Sequence, residues 1–279
     1  MQNSQIVVSR EYLEAQKRAM ESARETFGND PKSVVAIGIN EHYMIVQMPY
    51  GQLLLNKHDP TMVSNIYESM SEIALLVPFA QGMVIDVGAN VGTHSICFAN
   101  TAKRVYAIEA HPQTYLHLCA NIILNQKLNV EPINLALGDM DGPQIMADID
   151  PTKPSTPMGA RVGAGSTPIK MARLDSLYLD ADFMKIDVEG YELEVLKGAK
   201  HTLMRNDTAV FVEIHHHELV QEINEYMAAL GYSNAPLLEN RYIDNVTLLT
   251  EGYMYWKGER IVWIEQPSLP ELQVKMAVI

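Results

Sequence analysis

Residues 84–95 read VIDVGANVGTHS, a short apolar run followed by a glycine-containing turn and the start of a helix. Val84, Ile85 and Val87 have the pattern of a strand covered on both faces. In Asp86-Val87-Gly88-Ala89-Asn90-Val91-Gly92 the two glycines let the backbone turn sharply and approach a ligand that any Cβ would strike. Ligands of open parallel sheets lie beyond the carboxyl ends of the strands, so this strand–helix junction is where a nucleotide belongs. Glu109 ends the next predicted strand, 17 residues past Gly92. A carboxylate there can accept both hydroxyl hydrogens of a ribose.

Two nucleotide cofactors compete for such a turn. A dinucleotide asks for G-x-G-x-x-G, with its pyrophosphate on a helix N-terminus. Here the pattern is G-x-N-x-G, and Asp86 stands two places before the first glycine. That carboxylate would repel a pyrophosphate but suits the ammonium and sulfonium of S-adenosylmethionine, which is therefore the expected cofactor.

Outward from this turn, short apolar runs alternate with amphipathic helices. The expected strands are 104–109, 130–137, 183–188 and 209–214. Helices are expected at 93–101, behind Pro112 with Tyr115, Leu118, Cys119, Ile122 and Ile123 on its buried face, through Leu193, Leu196, Ala199 and Leu203, and through Leu219, Ile223, Met227 and Leu230. Such alternation predicts an α/β fold, a doubly wound, mostly parallel sheet with helices on both faces. Val246–Leu249 and Ile261–Ile264 are expected to close it as an antiparallel pair, and Trp256 and Trp263 to flank a hairpin at Lys257-Gly258. Upstream, a helix at Glu11–Phe27 and short strands at 34–39, 43–48 and 52–55 make an N-terminal α+β extension, followed by a helix at 64–79. The expected division is an extension over 1–55, a main domain over 56–265 and a tail over 266–279. Within the main domain, residues 142–172 carry five prolines and several glycines and read as an irregular loop insertion. That loop and the N-terminal strands are expected to wall the acceptor site.

The stretches VIDVGANVGTHS, YAIEAHP (106–112), NLALGDMDG (134–142), RLDSL (173–177) and MKIDVEGYELEVLKGA (184–199) resemble, in this order, the signature blocks of the FkbM family of methyltransferases. The resemblance runs from about Gly51 to Glu213 and rests on five spaced blocks. It implies a Rossmann-like class I methyltransferase fold that binds S-adenosylmethionine and transfers its methyl, usually to a hydroxyl of a sugar or natural product. Carried over, Asp86, Gly88, Asn90 and Gly92 match the block around the methionine moiety, and Glu109 matches the ribose acid. Leu135 and Ala136 fall beside the adenine, and Asp187, Glu189 and Gly190 match the acidic block after the fourth core strand. The extension and the 142–172 loop match no pattern of the family.

Methyl transfer to an alcohol needs in-line alignment and a base for the hydroxyl proton. Asp187, Glu189 and His215 are the candidates, all at or beyond strand tips. Three consecutive histidines, His215 to His217, cannot converge on one ion as a set. A narrower set, Asp187, Glu213 and His215, could hold magnesium at the ends of neighbouring strands, lowering the pKa of an acceptor hydroxyl. With His215 as base, the pocket needs no metal. His94 is read as a helix-start residue or a neighbour of the methionine carboxylate, and His111 as a loop residue or a border of the adenosine.

Composition bounds the partners. Of 279 residues 47% are apolar and 20% charged, an ordinary globular balance. The formal charge of −13 repels phosphate backbones and argues against nucleic acid. Two cysteines, Cys97 and Cys119, are expected as reduced core thiols. The N-terminus lacks a signal-peptide pattern and no apolar stretch reaches the ~20 residues of a membrane span, so a cytoplasmic protein without membrane contact is expected. A small-molecule acceptor is the expected partner, and oligomers are allowed. Two other functions stay open: an NAD-linked oxidoreductase, disfavoured by Asn90 and Asp86, and a binding module of the same fold without chemistry.

Overall fold

The computed structural model describes residues 6–8, 37–38, 42–48, 50–56, 69, 72–73, 75–146, 162–163, 165–243, 246–258 and 261–263. The expected helix at 11–27, the middle of the 142–172 loop and the tail from 266 lie outside them. In chain order the strands are β1 (Ile6–Val8), β2 (Ile37–Gly38), β3 (Tyr43–Met48), β4 (Gly51–Asn56), β5 (Gly82–Val87), β6 (Ala102–Glu109), β7 (Val130–Asn134), β8 (Ala136–Leu137), β9 (Gly142–Met146), β10 (Thr167–Ala172), β11 (Phe183–Ile186), β12 (Ala209–Ile214), β13 (Ser233–Ile243), β14 (Val246–Trp256) and β15 (Ile261–Trp263). The helices are α1 (Thr93–Phe98), α2 (Pro112–Leu124), α3 (Leu174–Leu177), α4 (Glu192–Gly198), α5 (Lys200–Arg205) and α6 (Val220–Ala229). No helix among the described residues is long and apolar enough to cross a membrane.

Seven strands form the central sheet in the order β13-β14-β12-β11-β5-β6-β7. The pairs β5–β6, β6–β7, β5–β11 and β11–β12 are parallel, and only β14 runs against its neighbours β12 and β13. This is the expected Rossmann-like, doubly wound sheet. From β5 the chain winds outward through β6 and β7, then returns to β11 on the other side of β5. The crevice between the tips of β5 and β11 is thus the switch point where open α/β sheets bind ligands.

Alternation along the strands splits the core in two. On one face Val84, Ala107, Phe183 and Phe211 pack with Phe79, Phe98 and Leu118, and with Leu53 and Leu55 of the N-terminal hairpin. On the other, Ile85, Val87, Ile108, Ile186 and Val212 pack with Leu193, Leu196, Leu203, Ile223 and Met227. Burial on both faces is why these strands read as unbroken apolar runs.

The N-terminal hairpin β3–β4 is docked by two asparagines of α2. Asn121 Oδ1 accepts the N–H of Leu54 at 2.6 Å, and Asn125 takes the N–H of Gln52 at 2.7 Å and donates to its carbonyl at 2.6 Å. β4 is an edge strand, and the two amides continue its ladder. One helical turn of four residues rises about 6.0 Å and two strand residues about 6.6 Å, so the spacings match. Asn121 Nδ2 also donates to the carbonyl of Val91 at 2.9 Å, tying the hairpin to the glycine turn.

Several expectations are corrected. The 142–172 segment is not irregular throughout: β9 and β10 pair antiparallel, and β10 also pairs with β8. The run 130–137 is broken at Leu135, whose N–H turns back to the Glu109 carbonyl, so Ala136 and Leu137 join the small sheet instead. Residues 246–249 and 261–263 do not pair with one another: β14 lies between β12 and β13, and β15 pairs parallel with β1. Among the described residues β14 and β15 therefore form no hairpin around Lys257, whose ammonium caps α5 at the Leu203 carbonyl. Trp256 packs against the core.

Candidate active site

The glycine turn is shaped by its neighbours. Gly88 has φ of 80° and Gly92 of 95°, while Asn90, at 50°, is one of few side-chain-bearing residues in the left-handed region. A Cβ on Gly88 would meet the Asp187 carbonyl oxygen and one on Gly92 would meet Leu118. The N–H groups of Gly88 and Ala89 both donate to the Ile108 carbonyl, which seats the turn on β6.

Glu109, buried at the tip of β6, accepts the N–H of Asn90 at 2.9 Å on one oxygen and that of His111 at 2.8 Å on the other. Each carboxylate oxygen has a second lone pair, so two acceptor positions remain. Burial pushes this carboxyl up to about 7, against the pull of the two N–H bonds.

These tips open on one cleft. Gly88, Asn90, Glu109, Ala136, Asp187 and Glu189 line it. Leu135 does too, with Met146, Val162 and Tyr191, to which no motif in the sequence assigns a role. Met146 and Val162 form a bridge between strands and pack with Ala110 and Ala136. The described part of the 142–172 segment thus covers the β6–β8 side of the cleft. No described residue of the N-terminal hairpin lines it, contrary to the expectation that the hairpin would wall the site.

Asp86 and Gly92 also lie outside the lining. Asp86 is fully buried beneath the turn, where Oδ2 accepts the Ser95 hydroxyl at 2.5 Å. Its Oδ1 and the Asn90 Oδ1 are buried without a hydrogen-bond partner among the described residues. Of the two residues only Asn90 lines the cleft, and its unsatisfied acceptor fits a ligand that brings a donor or positive charge.

At the tips of β11 and β12 the candidate catalytic residues converge. Asp187 binds the Lys185 ammonium through Oδ2 at 2.9 Å and His215 Nε2 through Oδ1 at 2.9 Å. His215 Nδ1 stands 3.5 Å from Glu189 Oε2. The result is a chain of alternating charge, Lys185–Asp187–His215–Glu189, ending in the cleft. Burial opposes ionisation of Asp187, but Lys185 and His215 outweigh it and hold the carboxyl well below its usual range. Burial likewise works against the His215 charge, and the bond to Asp187 with the carboxylates of Asp187, Glu189 and Glu213 lifts it to about 10. Burial and the Asp187 charge push Glu213 up to about 8.

Asp187, Glu213 and His215 do come together, with one ligating atom of each within 4.8 Å of the others. His216 and His217 do not join them: His216 packs over Gly190, and His217 pairs with Glu251. His94 stands 3.0 Å from the buried Glu72 and is lowered to about 3 by burial and the nearby Lys185. His111, buried, is the residue before the first turn of α2. Cys97 is buried and Cys119 partly so, both as free thiols. Lys185 was the site residue least visible in sequence, its one signal being a charge inside the apolar strand Phe183–Ile186.

The family profile described as the Methyltransferase FkbM domain matches residues 86–233. Hexuronic acid methyltransferase AglP of Haloferax volcanii is 35% identical over 140 residues, 47% of this chain and 54% of that protein; the match thus spans about half the length of the curated relative. Among solved structures, the FkbM methyltransferase of Methylobacillus flagellatus KT gives a TM-score of 0.46 at 17% identity, covering 63% of this chain and 44% of that one. TYW2 of M. jannaschii in complex with AdoMet also gives 0.46, at 18% identity, covering 80% and 90%.

Proposed function

This chain belongs to the FkbM family of methyltransferases, and from that premise we propose that it takes S-adenosylmethionine into the cleft between the tips of β5, β6 and β11 and methylates an oxygen of a sugar or natural-product small molecule. The observation that carries this reading is that one cleft holds both Glu109 and the Asp187–Glu189 tip. A ribose-gripping acid and a proton-accepting group lie on opposite sides of a single crevice.

When bound, the cofactor supplies an electrophilic methyl group on a sulfonium. Glu109 keeps two acceptor positions for the ribose hydroxyls, and Leu135 and Ala136 flank the adenine. Asn90 Oδ1 and the Asp86 carboxylate beneath it favour the positive methionine end. The orphaned Asn90 acceptor in the cleft lining, with Gly88 close against Asp187, supports the fit of this chain to the group. A dinucleotide would set its pyrophosphate against the Asn90 acceptor and above the Asp86 carboxylate, which disfavours the oxidoreductase reading.

For the acceptor, both ring nitrogens of His215 face carboxylates, so its imidazolium holds Asp187 and Glu189 in place instead of serving as the base. Glu189, in the cleft lining, takes the hydroxyl proton as the oxygen attacks. Alignment at about 3–3.5 Å and this proton transfer are the chain's contributions.

Calorimetry with S-adenosylmethionine and with NAD tests the cofactor. Transfer of a labelled methyl to a panel of sugars with and without a uronic carboxyl tests the acceptor, since the curated relative is named for a hexuronic acid. Binding of NAD but not of S-adenosylmethionine would overturn the reading. Cofactor binding without transfer to any acceptor would support the binding-module alternative.

A further inference from the structure

Lys185 is deeply placed and has no role in the reading above. Its register puts it beside Asp86 on β5 and Phe211 on β12, on the sheet face covered by Phe79 and Phe98. The side chain is 1% exposed. An unpaired buried ammonium is strongly disfavoured, and this one is paired at 2.9 Å with Asp187 Oδ2. The carboxylates of Asp187, Asp86 and Glu213 outweigh its burial and hold it charged.

The same Asp187 belongs to the one group of residues, among those described, whose ligating atoms converge as a metal site would require, with Glu213 and His215. Here each Asp187 oxygen already has a partner, Lys185 on one and His215 on the other. A divalent ion that took His215 as a ligand would have to draw a ring nitrogen away from Asp187 or Glu189, beside a buried positive charge that cannot leave.

We propose that the Lys185 ammonium is the resident cation of the Asp187–Glu213–His215 cluster, fixing Asp187 and through it the His215 ring that faces Glu189. Lys185 is thus a positioning residue, and the cluster works without a metal. This rests on the reading that Asp187, His215 and Glu189 flank the acceptor, but its first test does not depend on activity.

The full-length protein is titrated with Co²⁺ and followed by visible absorption. The unaltered protein is expected to give no ligand-field bands, whereas Lys185→Ala, with the ammonium removed, gains them. Propylammonium, which can fill the vacated space, is expected to suppress those bands in Lys185→Ala. Lys185→Met, which keeps most of the stem volume, is expected to bind S-adenosylmethionine as before while kcat falls by roughly 100-fold, the cost of misplacing groups that align a reaction. Propylammonium should return part of the lost kcat in Lys185→Ala. Ligand-field bands in the unaltered protein that vanish in His215→Ala would overturn the proposal, as would an unchanged kcat in Lys185→Met. Where no methyl acceptor is found, the proposed acceptor fails while the Co²⁺ arms still decide the role of Lys185.

Discussion

Gly88 lies so close to Asp187 that a Cβ on the glycine would come within 1.8 Å of the aspartate's carbonyl oxygen. The glycine turn after β5 and the tip of β11 that carries Asp187 are therefore in direct backbone contact. Gly88→Ala would add that clash to a φ of 80°. We expect it to cost about 1–3 kcal/mol from backbone strain alone, with more from the displaced Asp187 peptide. Urea denaturation measures the stability, and calorimetry should show loss of S-adenosylmethionine binding.

Glu109 gives a pH dependence with a definite sign. Its folded-state pKa, about 7, lies above the ordinary 4.5, so the native protein holds the proton more tightly than the unfolded chain. The stability this contributes is full below 4.5 and is lost as pH rises through 7. Cofactor affinity runs the other way, because only the ionised carboxylate accepts both ribose hydroxyls without a proton of its own. The Kd for S-adenosylmethionine should tighten from about pH 6 to 8 and then level off. In Glu109→Gln the Kd should be about 10–150-fold weaker, the worth of a hydrogen bond to a charged group, and flat with pH.

Glu189→Gln should separate chemistry from binding. The turn at this residue has φ of 56°, and glutamine keeps its shape. With the proposed base removed, kcat is expected to fall by about 10²–10⁴-fold while calorimetric cofactor affinity stays unchanged. An unaltered rate in stopped-time methyl-transfer assays would remove Glu189 from the mechanism.

Met146 tests the cover over the cleft. Its side chain packs with Ala136 and Val162 on the side assigned to the adenine. Met146→Ser gives up part of a buried apolar side chain worth about 1.5–3 kcal/mol. The KM for S-adenosylmethionine should rise roughly tenfold, with kcat at saturation little affected. A fall in kcat with KM unchanged would instead place this strand beside the acceptor.

The parts of this fold that are legible in sequence are those set by local burial. Phe183–Ile186 and Ala209–Ile214 are apolar because both faces are covered, and the glycine turn announces itself because its backbone admits few other residues. Strands β9 and β10 were missed because Pro143 and Pro168 read as breakers. Pro143 sits on an edge strand, and Pro168 lies where β8 no longer reaches β10, so each has a side with no ladder bond to lose. The partner of β15 is β1, at the other end of the chain, a pairing no local pattern encodes. In the site, the strand-tip acids could be named from spacing. The bonds made by Lys185 could not, since they depend on which strands are neighbours.

The two asparagines of α2 make the N-terminal hairpin more than an appendage. Asn121 holds a strand amide of the hairpin and the Val91 carbonyl with one amide group, so a single planar group splints the outer layer to the glycine turn. Trimming the chain back to its Rossmann-like portion would leave that group half satisfied against the turn. A fragment that keeps this turn in its native setting is therefore expected to begin upstream of Tyr43.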